Sequence, residues 1–222
     1  MREGTESTVP QTEGAAGEYE TDRPISSLLS TTRDVLFSPR RFFDNLPPDG
    51  PLRGPALYFL ICSTLAAAIN TAATVVFFAA PVGIALATGS VEADFLLRIV
   101  AVFVLASLVV VPVLFVVGFF VSVPLQHALI LLVAGRNQKG LPATLRVSCY
   151  SVGAPVAVAW IPLAGVLAVF YCFYLHATGL KRVHRISTGR SLGATLLLTV
   201  LLLALATTLV IHDYRLIQEV MG

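Results

Sequence analysis

The side chains that could do chemistry are few, and each lies inside a long apolar run. Asn70, His127, Tyr150 and His176 are the candidate intramembrane polar residues, because a polar group in lipid is costly unless it has a partner. Asn70 could line a path or orient a headgroup, but we favour an amide that joins two helices. We expect His127 and His176 near the inner interface, where an imidazole ring reaches water or a headgroup.

Catalysis and metal binding are not predicted. A zinc site built on two histidines needs a further ligand, and no acidic residue occurs between Asp94 and Asp213. The sequence contains no HExxH, GxGxxG or phosphate-loop motif. An intramembrane protease would need a Ser/His pair or two membrane aspartates, and the apolar runs contain no aspartate. We therefore predict a protein that is not an enzyme, with no catalytic residue, no cofactor and no metal site.

The composition indicates the kind of environment that positions these residues. Of 222 residues, 56% are hydrophobic and 13% are charged, and the mean hydropathy is +0.81. Soluble domains carry about 25% charged residues, so this composition excludes a soluble enzyme, a nucleic-acid binder and a disordered scaffold. The three cysteines form no CxxC motif and are predicted to be buried free thiols: Cys62, Cys149 and Cys172.

The apolar runs predict membrane spans, since crossing about 30 Å of hydrocarbon takes about 20 helical residues. We predict five, at about residues 56–80, 97–122, 144–160, 163–180 and 192–211. Val147–Leu180 is too long for one crossing, and Trp160 and Pro162 favour a break in it. Ile99–Ala134 is also too long for a straight crossing. We interpret it as one kinked span and keep a span followed by an interfacial helix as the alternative.

Basic residues give the orientation, because cytoplasmic loops collect Lys and Arg. Segments rich and poor in these residues alternate strictly along the chain. This alternation fits five crossings, a cytoplasmic N-terminus and a C-terminus on the opposite side. The rich segments precede the first span, follow the second and follow the fourth: Arg23, Arg33, Arg40, Arg41 and Arg53; Arg136, Lys139 and Arg146; Lys181, Arg182, Arg185 and Arg190.

The segments outside the spans are predicted from composition and periodicity. Residues 1–24 are expected to form a disordered acidic and polar tail, and residues 213–222 a short C-terminal tail. Residues 25–54 are predicted to form two short amphipathic helices, the first with an apolar face of Ile25, Leu28, Leu29, Thr32 and Leu36. Two placements carry equal weight. The helices lie on the inner leaflet, with Arg40 and Arg41 toward headgroups and Phe42, Phe43 and Leu46 in the boundary, or they pack against the bundle.

Three short motifs resemble those of a known family. They are Leu36–Phe43 (LFSPRRFF), Cys149–Pro155 (CYSVGAP), and Gly179-Leu180 before a basic loop with His184. Over roughly residues 25–211 the chain resembles the Yip1 domain family, particularly its prokaryotic branch. The acidic-aromatic motif of eukaryotic members is absent. The resemblance implies a multi-pass fold and a membrane location, and it implies no catalytic residue.

The sequence as a whole predicts an all-α, polytopic integral membrane protein, with five transmembrane helices over residues 55–212 preceded by amphipathic interfacial helices. We expect it to organise lipid or partner proteins through a basic cytoplasmic face, although topology alone would also produce these charges. The alternative is a small transporter or channel for a neutral or lipid-like substrate. Expected partners are the lipid bilayer and other membrane or cytoplasmic proteins, not nucleic acid, and homo-oligomer formation is left open. The candidate contact residues are Arg40, Arg41, Phe42, Phe43, Arg136, Lys139, Lys181, Arg182 and Arg185.

Overall fold

All regular secondary structure in the described part of the chain is helical. The structure, a computed structural model, describes residues 18–89, 92–136 and 139–221, and no strand occurs among them. The predicted disordered tail therefore lies largely outside the described residues. The elements are α1 (Pro24–Phe37), α2 (Pro39–Asn45), α3 (Arg53–Thr88), α4 (Ala93–Leu105), a π-helical turn (Ala106–Val110), α5 (Val111–Ala134), α6 (Leu141–Val156), α7 (Pro162–Val183) and α8 (Thr188–Met221).

Four segments in this part of the chain are long and apolar enough to cross a membrane: Arg53–Thr88, Asp94–Ala134, Leu163–Val183 and Thr188–Thr208. The prediction of an all-α chain with several apolar helices that suit a bilayer is confirmed. The fifth predicted span corresponds to α6, whose 16 residues give a length of only about 24 Å. The predicted break is present, because α6 ends at Val156 and Pro162 begins α7.

The long apolar run after residue 92 is one continuous helical segment. It extends from Ala93 through the π-helical turn to Ala134, so the alternative of a span followed by a separate interfacial helix is wrong. Pro112 is the second residue after the π-helical turn. Its ring lacks an N–H and collides with the carbonyl four residues earlier in an α-helix, and a π turn relieves that conflict. The irregularity in this helix therefore has a local cause in the sequence.

The helical hairpins define one end of the bundle, which we call the covered end. There α3, α6 and α8 begin, α5 and α7 end, and α1 and α2 pack across it. Phe42, Phe43 and Leu46 are 6%, 1% and 4% exposed. The expectation that these three side chains enter the lipid boundary or contact a partner is therefore wrong, because α2 buries them against α6 and α7. Of the two placements proposed for α2, packing against the bundle is the one that these three side chains adopt.

The surface away from the covered end is apolar. Large hydrophobic side chains are exposed along the second half of α3, all of α4 and the first half of α7; Phe77 and Leu163, for example, are 74% and 77% exposed. A soluble monomer rarely presents apolar surface on this scale. In a bilayer the same surface faces hydrocarbon, and the helical backbone satisfies its own hydrogen bonds. The fold is therefore that of an integral membrane protein.

Candidate functional site

The first feature of the covered end is a buried cation. Arg146, on the second turn of α6, is 0% exposed, and its guanidinium forms an ion pair with Glu18. The same guanidinium donates a hydrogen bond of 2.9 Å to the carbonyl oxygen of Pro51. The sequence had suggested a loop cation at Arg146 and a free tail at Glu18. Both expectations are wrong, because α6 carries Arg146 into the interior and the chain before α1 follows it.

The Glu18–Arg146 pair lies where water is largely excluded. Burial raises the pKa of Glu18 above its usual range, and the charge and hydrogen bond of Arg146 oppose that shift. A Cβ atom at Gly50 would collide with the guanidinium, so the turn before α3 also closes over this cation. Three separate stretches of chain thus meet at Arg146, and the arrangement is suited to holding the N-terminal segment on the bundle.

An aromatic cluster surrounds this ion pair. The ring of Tyr150 lies 5.0 Å from that of Phe42 and 5.1 Å from that of Tyr58, centroid to centroid. Tyr19 packs 6.0 Å from Tyr58, and its backbone N–H donates to the Tyr150 hydroxyl at 3.4 Å. The Tyr58 hydroxyl pairs with Thr32 at 2.8 Å. Tyr150, a candidate intramembrane polar residue, is therefore a partner for α2, α3 and the segment before α1.

A hydrogen-bonded chain joins the helix ends on the other side of α6. The Thr144 hydroxyl lies 2.9 Å from Nδ1 of His127 and 3.0 Å from Nε2 of His184. One hydroxyl carries one proton, so Thr144 donates to one ring and accepts from the other. Burial, and secondarily the proximity of His127, lowers the pKa of His184 to about 4. This chain fixes the ends of α5 and α7 to the start of α6.

Seven cations, either exposed or half-buried, lie around these buried contacts, and we call them the basic rim: Arg40, Arg41, Arg136, Lys139, Lys181, Arg182 and Arg185. All seven lie on α2, at the ends of α5 and α7, or in the connections that follow them. Arg182 forms an ion pair with Asp44 of α2, at 2.8 and 2.5 Å from its two carboxylate oxygens. Arg185 has a positive φ of 54° at the tight connection to α8. The structure therefore brings the seven predicted cations to one end of the bundle.

Two other predicted polar sites differ from expectation. Asn70 is exposed, and its amide donates to the carbonyl of Ala66 on its own helix at 3.0 Å, so the expected link between two helices is wrong. His176 is 8% exposed and lies 3.0 Å from the hydroxyl of Ser151. The expectation that its ring reaches the inner interface is also wrong, since α7 turns it toward α6.

A cavity of about 430 Å³ lies among α5, α6, α7 and α8. Its polar lining includes Gln126, Ser148 and His176. It reaches neither Asn70 nor Tyr150, the two positions where a polar cavity would favour a transport path. Within the described residues no group of three or more His, Cys, Asp or Glu side chains could hold a metal ion.

The comparison with protein families bears directly on this arrangement. The family model described as Yip1 domain matches residues 33–210, which extend from the middle of α1 into α8. The chain belongs to the Yip1 domain family. No curated protein and no solved structure matches this Yip1 domain protein at a significant level.

The motif residues of this Yip1 domain are packing positions. A Cβ atom at Gly179 would lie 2.6 Å from Val147 and 3.0 Å from Phe43, so this glycine lets α7 approach α6 and α2 closely. Leu180 beside it is 0% exposed. Such close approach explains a glycine in the interior of a helix, where it otherwise weakens the helix. Gly179 and Leu180 therefore allow the close helix packing at the covered end.

Sequence reasoning missed the most deeply placed polar groups of the Yip1 domain. The Glu18–Arg146 pair has no local signal, because 128 positions separate the two residues. Ser148 is an ordinary residue in an apolar run. One signal was available: Gln126 follows Gly118 and Ser122 at intervals of four, which places all three on one face of a helix.

Proposed function

We propose that this Yip1 domain protein is a non-enzymatic multi-pass membrane protein that organises membrane or partner proteins through the basic rim. In this proposal the rim faces the cytoplasm, and it engages anionic headgroups and acidic surfaces of partner proteins. The observation that carries the proposal is the gathering of cations from three stretches of chain on a base fixed by the buried Arg146. A surface dominated by positive charge suits recognition of an anionic surface.

The proposal includes five crossings of a cell membrane, with the N-terminus in the cytoplasm and the C-terminus on the opposite side. Its support is the order of helix ends. The chain leaves the covered end along α3, returns along α5, leaves along α6, returns along α7 and leaves again along α8. In this scheme α6 is a short crossing shielded by its neighbours, since most of its residues are buried, and the bilayer thins or the chain tilts to accommodate it.

The proposal also places α1 in the interface of the inner leaflet. Its inward face carries the small polar residues Ser27 and Thr31, both buried. Outward it presents Ile25, Leu29 and Phe37, which are 76%, 67% and 81% exposed. A helix that turns three of its large apolar side chains away from its own bundle suits immersion at the boundary between headgroups and acyl chains.

Charge reversal tests the rim. We expect Arg40→Glu with Arg41→Glu to reduce binding of the full chain to vesicles containing phosphatidylglycerol, and to remove acidic proteins recovered by crosslinking in native membranes. Arg98→Glu is the matched control, since Arg98 is exposed on α4 at the other end. Equal vesicle binding and equal recovery of acidic proteins in the two charge-reversed proteins would contradict the proposal.

Cysteine labelling tests the orientation. In a chain with Cys62, Cys149 and Cys172 replaced, Lys139→Cys and Glu92→Cys should react with an impermeant maleimide from opposite sides of the membrane. Lys139→Cys should react only from the cytoplasm. Labelling of both positions from the same side would contradict the five-crossing arrangement.

A further inference from the structure

The cavity among α5, α6, α7 and α8 contains polar atoms with nothing to bind. Gln126, Ser148 and His176 line it and are 1%, 2% and 8% exposed. Within the described part of the chain, four of their atoms have no hydrogen-bond partner: Nε2 and Oε1 of Gln126, Oγ of Ser148 and Nε2 of His176. An unsatisfied buried polar group costs about 1–3 kcal/mol, so four around one cavity point to a missing partner.

These groups form a layer at one depth. Gln126, Ser148, His176 and Thr195 each lie roughly 11 Å from the covered end of their helix, at 1.5 Å per residue. The other end of the cavity is apolar and is lined by Leu114, Phe115 and Leu202, whose side chains are also exposed on the bundle surface. The cavity thus has a polar end inside the protein and an apolar end that opens toward lipid, which is the shape of a site for an amphiphile.

The hydrogen-bond directions restrict the head of that amphiphile. Ser151 donates its proton to the carbonyl of Val147 at 2.7 Å, so its oxygen accepts from Nδ1 of His176. Nε2 of His176 is then a bare acceptor and needs a donor. Gln126 offers both a donor and an acceptor. No Asp, Glu, Lys or Arg is among the lining residues, and a charged head would therefore be unpaired there.

We propose that this cavity binds an uncharged, single-chain lipid with a hydroxyl-bearing head, of the monoacylglycerol type. A hydroxyl donates to His176 and accepts from Gln126, whereas an ester alone cannot donate. The acyl chain leaves along Leu114, Phe115 and Leu202 into the bilayer. The volume of the cavity is in the range of small-molecule sites, about 300–1,000 Å³. This inference does not depend on the proposed role of the basic rim.

A second cavity provides an internal comparison. It has about 440 Å³, lies between α3 and α4, and is lined mainly by apolar side chains such as Phe78, Pro81 and Val100. The hydroxyl of Thr74 in this groove already donates to the carbonyl of Asn70 at 2.8 Å. A lipid chain here meets no unpaired group, so this groove should not select between heads.

Photolabelling of the full chain in phosphatidylcholine nanodiscs tests the site. The probe is a monoacylglycerol with a diazirine and an alkyne in its chain, and the comparison probe is the methyl ester of the same chain. Peptide mass spectrometry should find Phe173 and Leu198 labelled roughly fivefold more by the monoacylglycerol, the effect of about one hydrogen bond. Unlabelled monoolein should compete for these positions. Labels on Val100 and Phe103 should not depend on the head.

Three variants make the result specific. Gly118 lines the cavity and a Cβ atom there meets nothing within 4 Å, so Gly118→Leu should occupy part of the cavity and abolish the labels. Gly83→Leu, equally unobstructed but outside the cavity, should keep them. Gln126→Leu removes two unpaired atoms and should leave stability intact while lowering monoacylglycerol labelling to the ester level. Equal labelling by the two probes, or labels that persist in Gly118→Leu, would overturn the proposal.

Discussion

The guanidinium of Arg146 pairs with the carboxylate of Glu18 inside the protein, although 128 positions separate the two residues. The same guanidinium holds the carbonyl of Pro51. A buried cation needs such partners, since its removal from water is costly. The sites that meet it come from the segment before α1, the turn before α3 and the body of α6. This contact therefore makes the covered end one unit with the membrane helices.

Loss of the Glu18 charge should destabilise the protein strongly. Glu18→Gln leaves Arg146 buried without its counter-charge, and removal of one member of a buried pair costs about 3–5 kcal/mol. We expect a lower midpoint of thermal unfolding in nanodiscs and faster proteolysis of the segment before α1. The double variant Glu18→Gln with Arg146→Met should recover part of the loss, because it leaves no unpaired charge.

Asp44→Asn supplies the matched control for this ion-pair prediction. It removes the ion pair with Arg182, whose two side chains are 48% and 31% exposed. An exposed pair contributes about 0–1 kcal/mol, so this variant should unfold close to the wild-type midpoint. Equal losses in Glu18→Gln and Asp44→Asn would contradict the structural role assigned to Arg146.

A methyl group at Gly179 should separate α7 from its neighbours. The added Cβ atom would lie 2.6 Å from Val147 and 3.0 Å from Phe43, and overpacking of this kind costs about 1–3 kcal/mol. Gly193→Ala on α8 meets nothing within 4 Å and should stabilise its helix by about 0.5–1 kcal/mol. The unfolding midpoints of the two variants should move in opposite directions; a Gly179→Ala midpoint at or above wild type would refute the close approach.

Periodicity and charge predicted the helices well because both are local properties. The apolar runs specified α3, the long helix ending at Ala134, α7 and α8, and Pro162 specified the break before α7. The rim cations were also predicted from local charge, since each follows or precedes an apolar run. The position of the π turn was not predicted, although Pro112 supplies its cause.

The inner contacts could not be predicted because they depend on which helices meet. Nothing near Arg146 distinguishes it from Arg136, yet one is fully buried and the other is exposed. Phe42 and Phe43 are suited equally to lipid and to a protein interior, so composition could not decide between the two. The polar layer at Gln126, Ser148 and His176 likewise joins three helices.

Removal of the Thr144 hydroxyl should lower the stability of the folded protein. Thr144→Val keeps the shape but leaves His127 and His184 without the atom that both rings contact. Orphaned buried polar groups cost about 1–3 kcal/mol each, so we expect a clear fall in the unfolding midpoint. Thr208→Val is the control, since this exposed hydroxyl bonds to its own helix at Ala204. A fall of similar size in both variants would show that the bridge contributes nothing.

Acid should weaken the covered end through His184. In the folded protein its pKa is lowered to about 4 by burial, whereas in the unfolded chain it is about 6.5. Between these values the unfolded state binds one more proton, so stability falls with falling pH by at most about 1.4 kcal/mol per pH unit. Above pH 6.5 the ring is neutral in both states and contributes no dependence. We expect the unfolding midpoint in nanodiscs to fall between pH 7 and pH 5.

The variant His184→Asn isolates this effect, because its side chain cannot take up a proton. Its midpoint should be lower than wild type at pH 7 but should change less between pH 7 and pH 5. Glu18 is present in both chains, so its own titration cancels in the comparison. A full wild-type slope in His184→Asn would assign the acid sensitivity to other groups and leave the Thr144 bridge without a role in it.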